Sequence, residues 1–192
     1  MKPVLLDDGV ILLRPWRDSD LGAAVEICQD AEIVRWTRVP SPYGEEDGRR
    51  FLAQAKRSFE SGTEYAFAVV GVPDRVLLGS VSVKLVADGV GEVGYFVGAG
   101  IRRRGIGKRA VRLISRWALE DLGLARLQIT VLGGNIASQR LRSRRALAVK
   151  ACSAHGSISR ASALMWLCTR SYPARSTGSQ ATCSFSCQSG SS

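Results

Sequence analysis

The sequence predicts a mixed α/β domain of the α+β type, built on an antiparallel meander rather than on a doubly wound parallel sheet. Three observations predict it. Hydrophobic periodicity alternates between extended and helical in the order β, α, α, β, β, β, α, β, α. Three successive extended runs are joined by connections too short for crossover helices. Finally, 192 residues suffice for one sizeable core and not for two.

Each element has its own warrant. Gly9 to Arg14 (GVILLR) is a short β-rich run, and Pro15 ends it, with Asp18 and Ser19 as N-cap candidates for a helix. Leu21, Ala24, Val25 and Cys28 fall on one face, which places that helix over about Asp20 to Asp30. Ser41 and Pro42 introduce a second helix, whose first turn carries Glu45, Glu46 and Asp47 where the positive end of a helix dipole favours acids. Phe51, Leu52, Ala55 and Phe59 form its apolar stripe, and Gly62 stops it. Tyr65 to Val70, Val76 to Leu85 and Val90 to Val97 are β-branched and aromatic, and Asp88-Gly89 marks a tight turn between the last two. A long helix opens near Gly105 with Ile106, Ala110, Leu113, Ile114, Trp117 and Ala118 on one face, and Gly123 stops it. Leu127 to Leu132 reads as a strand, followed by Gly133-Gly134 and a helix capped by Asn135.

The apolar fraction of 45% and charged fraction of 23% are those of a globular chain. No apolar run is long enough to span a bilayer and the first ten residues lack a secretory pattern, so no membrane association and a cytoplasmic location are expected. The net charge of +10 is unevenly distributed. Up to Asp121 there are 18 Lys and Arg against 17 Asp and Glu, whereas residues 122–192 hold nine basic residues and no carboxylate. Cys28 stands alone upstream, while Cys152, Cys168, Cys183 and Cys187 crowd the end. With no C-x2-C pair and the single His155 far from Cys183 and Cys187, no metal site is expected. After Leu141 sustained periodicity is lost apart from the apolar patch Ala163 to Leu167, and the last 20 residues read as a low-complexity tail. Residues 1–140 are therefore expected to form the domain, and 141–192 an atypical basic, Ser- and Cys-rich segment. Its composition is that of a shifted reading frame in GC-rich DNA, with the change near 140–142.

The stretch Ile101 to Ala110, IRRRGIGKRA, sits between a strand and a helix. The first turn of that helix leaves backbone N–H groups unpaired, and Gly105 and Gly107 keep Cβ atoms out of the way, so a pyrophosphate can approach. The alternatives are solvated loop charge at Arg102, Arg103 and Arg104, or a Rossmann site. The Rossmann reading lacks the G-x-G-x-x-G spacing and an acid about twenty residues on, and no P-loop motif is present.

With these residues the chain resembles the GNAT superfamily of acetyl-CoA-dependent N-acetyltransferases, in particular its RimJ/RimL-like branch of ribosomal-protein N-terminal acetyltransferases. The resemblance is carried by LRPWRDSDL (13–21), VRWTRVPSPY (34–43), LLGSVSV (77–83), GEVGYFV (91–97), RRRGIGKRAVRLISRWALEDLGLARLQITV (102–131) and NIASQR (135–140). It implies a mostly antiparallel central sheet flanked by helices, with the closing C-terminal strands missing or altered, since no A-G-F-like turn follows Arg140. It implies acetyl-CoA as cosubstrate, with the pyrophosphate on the N–H groups of Arg103, Arg104, Gly105, Ile106, Gly107 and Lys108. Arg102 is the arginine of the R-x-x-G-x-G pattern, and backbone groups of Tyr95, Phe96 and Val97 would pair with the pantetheine arm on a splayed strand. Asn135 and Ser138 match the family's N-x-x-S near the thioester sulfur; the plain alternatives are a helix cap and a first-turn serine.

The chemistry needs a base for the amine, a donor for the thioester oxygen and an acid for the thiolate. By analogy Glu92 is the base, with a half-buried carboxylate paired to an arginine as the alternative, a backbone N–H near Phe96 or Val97 is the oxygen's donor, and Ser138 is the candidate for protonating the thiolate. The acceptor would be a protein N-terminus or a small amine, and the branch leaves room for a homodimer. The competing function is a basic nucleic-acid- or ribosome-binding protein acting through the C-terminal tract, against which no aromatic-interleaved basic surface or helix-turn-helix pattern is present.

Overall fold

The computed structural model describes residues 4–132, 134, 135 and 138, and the backbone of 147–152. Strands β1 (Leu6–Asp7) and β2 (Ile11–Pro15) pair antiparallel across a turn in which the Asp7 carboxylate accepts from the Gly9 amide and that of Asp8 from Val10 and Ile11. A single 3-10 turn then leads into α1 (Leu21–Cys28). Neither Asp18 nor Ser19 supplies a side-chain cap. Asp20 organises this corner instead, accepting from the Arg17 amide at 2.8 Å and from both terminal nitrogens of Arg14 at 2.7 Å, with both side chains buried. The expected helix ends at Cys28, and Asp30, extended, caps a further helix, α2 (Ala31–Trp36), its Oδ1 accepting from the Ile33 amide at 3.0 Å. The second expected helix is α3 (Glu45–Ser61), closed by Gly62 in the left-handed region at φ 71°.

The meander forms as the periodicity implies. β3 (Glu64–Gly71), β4 (Leu77–Ala87) and β5 (Val90–Val97) continue the antiparallel order from β2. Helix α4 (Ile106–Glu120) crosses back over the sheet, and β6 (Arg126–Leu132) joins β5 in parallel. A seventh strand, β7 (Leu147–Cys152), pairs in parallel with β6, giving one sheet in the order β1 to β7. The sequence pattern predicted no element there. A strand at that place needs little from its side chains, because β6 offers a free row of N–H and C=O groups and LAVKAC contains neither Pro nor Gly. The remainder of the expected C-terminal segment, including His155, Cys168, Cys183 and Cys187, lies outside the described residues.

The core lies between the sheet and α4. Ile11, Leu13, Phe67, Val69, Val81, Val83, Val93 and Leu127 pack beneath Ile106, Ala110, Ile114, Trp117 and Ala118. Edge-to-face contacts tie Phe59 of α3 to Tyr65 and Phe67, and both of these to Trp117, the geometry that ring quadrupoles favour. On the opposite face Leu12, Ala68 and Val70 are covered with help from Trp16, whose ring meets Phe51 of α3 edge on. The result is a stiff sheet whose open end, at the far end of β5, faces the start of α4.

Candidate active site

Strand pairing creates the site. β5 and β6 are paired only at Val90–Arg126, Gly91–Leu127 and Glu92–Gln128, after which the two strands part. The Gly98 amide donates to the Leu78 carbonyl on β4 at 3.0 Å. Since an antiparallel ladder alternates, Phe96 turns its main-chain groups toward Ser80 of β4, while Val97, Tyr95 and Val93 turn theirs toward the gap that β6 has left. The main chain of Phe96 is therefore directed toward β4, away from the gap.

The head of α4 borders the same gap. Its N-cap, Gly105, has φ 78° and no side-chain cap, and the first helical bond runs from the Arg109 amide to the Gly105 carbonyl. The amides of Ile106, Gly107 and Lys108 therefore carry no intrahelical partner. Arg103 also adopts a left-handed backbone, at φ 64°, so two left-handed residues bracket Arg104 and curl the loop. Arg103, Arg104 and Lys108 are exposed, with no ion pair among the described residues. The two glycines differ in why they are glycine. A Cβ at Gly105 would meet nothing within 4 Å, so the left-handed backbone is what selects glycine there. A Cβ at Gly107 would lie 3.0 Å from the Tyr95 ring and 3.4 Å from Val97, so Gly107 makes room for β5.

Arg102 points back into the protein. Its Nε donates to the Val97 carbonyl at 3.2 Å, and its guanidinium pairs with Asp30, the residue that caps α2. The Arg102 hydrogen bond, opposed by partial burial, holds the Asp30 carboxyl below the usual carboxylate range. At the other end of α2, the ring of Trp36 lies against Gly134, where a Cβ would be 3.5 Å from it. Helix α2 is thus linked through its cap to Arg102 and through Trp36 to Gly134.

Glu92 is half-buried on β5 and accepts from the Gln128 side-chain amide at 3.1 Å; Lys84 is its register partner on β4. The Gln128 amide thus holds this carboxylate from the neighbouring strand. Asn135 accepts from the Ser138 amide at 3.0 Å, as a helix cap does. The Ser138 hydroxyl lies 2.8 Å from the Tyr95 hydroxyl, which bridges the gap from β5. Burial pushes the Tyr95 phenol above its ordinary value, and the bond to Ser138 offsets part of that. Among the described residues no group of acids, histidines and cysteines is placed to hold a metal ion, and no helix is long and apolar enough to cross a membrane.

Four contributors escaped the sequence pattern: the Tyr95 phenol, Asp30, Trp36 and Gln128. Asp30 ahead of AEIVRW carries an N-cap signal, whereas the partnership of Gln128 with Glu92 follows only from strand register.

Comparison with known proteins agrees with this geometry. A model of the acetyltransferase (GNAT) domain matches residues 11–144. The Probable N-acetyltransferase YjcK of Bacillus subtilis (strain 168) is 28% identical over 144 residues, covering 71% of this chain and 80% of its own length. Among solved structures, the ribosomal-protein-S5-alanine acetyltransferase of Vibrio fischeri superposes with a TM-score of 0.63 at 20% identity, covering 72% of this chain and 79% of that one. RimL, a ribosomal L7/L12 alpha-N-protein acetyltransferase in complex with coenzyme A, gives 0.66 at 14% identity, with 72% and 80% covered. The family model spans most of the chain, and the parted strands and bare helix head fall within it: the protein belongs to the GNAT acetyltransferase family and is an acetyl-CoA-dependent acetyltransferase.

Proposed function

We propose that this chain acetylates the α-amino group of a protein or peptide N-terminus, holding acetyl-CoA in the gap between β5 and β6. The observation that carries this reading is the parting of those strands after Glu92, beside the uncapped head of α4. The residues present fit the cosubstrate. Amides from Arg103 to Lys108 offer donors to a pyrophosphate, with Arg103, Arg104 and Lys108 adding unpaired positive charge. Main-chain groups of Tyr95 offer an amide-bearing arm the pairing that β6 no longer provides, and the Val97 N–H is left for the thioester. Arg102 acts from behind, fixing the loop through Asp30 and the Val97 carbonyl. The α-amino acceptor is supported by the similarity to proteins named as acetyltransferases of ribosomal-protein termini.

Bound acetyl-CoA supplies a thioester whose carbonyl carbon takes an amine lone pair and whose sulfur leaves. The chain does the rest. Glu92, held by Gln128, accepts the proton shed by the amine, directly or through water. The Val97 N–H is turned to receive the carbonyl oxygen. Ser138, fixed by Asn135, donates its hydroxyl proton toward the departing sulfur. Overall a C–N bond replaces a C–S bond, one proton leaves nitrogen and one ends on sulfur.

The test is CoA release with short peptides beginning in Ala or Ser, set against the same peptides already N-acetylated. Transfer to the free peptides alone is expected, and Glu92→Gln is expected to slow it about 100-fold. Wild-type turnover in Glu92→Gln would remove the base, and transfer confined to lysine side chains would remove the α-amino assignment.

A further inference from the structure

The Tyr95 phenol has no place in the chemistry above, yet it is a partly buried polar group reaching across the gap. Its ring packs beside Gly107, where a Cβ would lie 3.0 Å from it and the ring would have to give way, and its hydroxyl reaches Ser138, 43 residues on in sequence. A phenol carries one proton to donate, and a buried hydroxyl without a partner is costly. The Ser138 oxygen, 2.8 Å away, is the acceptor the described residues offer it. When Tyr95 donates, the serine oxygen is engaged as acceptor and the serine's own proton is directed elsewhere. Ser138 is then constrained twice: Asn135 takes its backbone N–H at 3.0 Å, and Tyr95 fixes the rotation of its hydroxyl.

Resting on the role given to Ser138 above, we propose that Tyr95 is a positioning residue that orients the Ser138 hydroxyl so that its proton is presented to the sulfur of coenzyme A. Gly107 belongs to the same device: by leaving space for the Tyr95 ring, it lets a residue of β5 reach Ser138. The small residue in the phosphate loop therefore serves the sulfur end of the site as well.

The test uses the full chain with coenzyme A itself, and so needs no acceptor. The ultraviolet absorbance of the CoA thiolate is titrated against pH in complexes with wild type, Tyr95→Phe, Ser138→Ala and the double variant. A hydrogen bond to the thiolate lowers its titration midpoint, so Tyr95→Phe is expected to raise it by about one pH unit, a tenfold change. Ser138→Ala should do the same and the double variant no more than that. Tyr95→Phe keeps the ring beside Gly107, so its melting temperature should stay within about 4 °C of wild type. KM for acetyl-CoA should also be unchanged while kcat falls about tenfold on an Ala-initiated peptide. A shifted Ser138→Ala beside an unshifted Tyr95→Phe overturns this proposal and leaves the role of Ser138 standing. An unshifted Ser138→Ala overturns both, and additive shifts in the double variant overturn the coupling.

Discussion

Asp20 shows how much one carboxylate can hold. Burial raises its pKa, but Arg14, the Arg17 amide and the Arg17 charge together more than offset this and keep it below the ordinary carboxylate value. Asp20→Asn leaves the Arg14 guanidinium buried without a charged partner, and should cost about 3 kcal/mol in urea unfolding. The sign with pH follows. A depressed pKa contributes stability that is complete above the unfolded value of about 4 and is lost as pH falls through the lower folded value. The wild type should therefore lose stability over that acid range more steeply than Asp20→Asn. The two loop glycines separate cleanly in the same assay. Gly105→Ala meets only backbone strain, about 1 kcal/mol. Gly107→Ala must push the Tyr95 ring aside, costing about 1–3 kcal/mol as overpacking does, and should reproduce the thiol shift of Tyr95→Phe. The sequence motif identified both glycines and gave both one reason. The contact that distinguishes them joins a helix to a strand twelve residues earlier, and no local pattern carries such information.

At the scale of elements, periodicity and caps placed β2 to β6, α1, α3 and α4 to within a few residues, because each buries one face against the core. What it passed over is short. β1 has two residues and α2 has six, too few for a hydrophobic period to accumulate, and both are held by tertiary partners. Helix α2 matters out of proportion to its length, since Asp30 joins its cap to Arg102 and Trp36 meets Gly134. Asp30→Asn keeps a good N-cap and removes the charge that holds Arg102. Its stability should stay near that of wild type while KM for acetyl-CoA rises several-fold, because the loop loses its anchor. Asp30→Ala should lose both, with the cap alone worth about 1 kcal/mol in thermal unfolding. Equal KM values in wild type and Asp30→Asn would show that the Arg102 pair serves stability alone.

Over the whole molecule, the antiparallel body of the sheet was readable from alternation and turn residues, and the start of α4 from the glycines in front of it. The width of the gap was not. It depends on where β5 and β6 cease to pair, and both strands remain equally apolar beyond that point. Nor could β7 be read, since an edge strand is recruited by the free backbone of its neighbour more than by its own side chains. The proposed function thus rests on a failure of pairing, in which an unmatched stretch of β5 and the bare head of α4 face one another. Amide chemical shifts of the full chain, recorded as coenzyme A is added, probe that arrangement residue by residue. The largest changes should fall on the amides of Tyr95, Val97 and Arg103 to Lys108, with those of β2 and β3 unmoved; saturation by coenzyme A with these amides unchanged and the shifts elsewhere would contradict it.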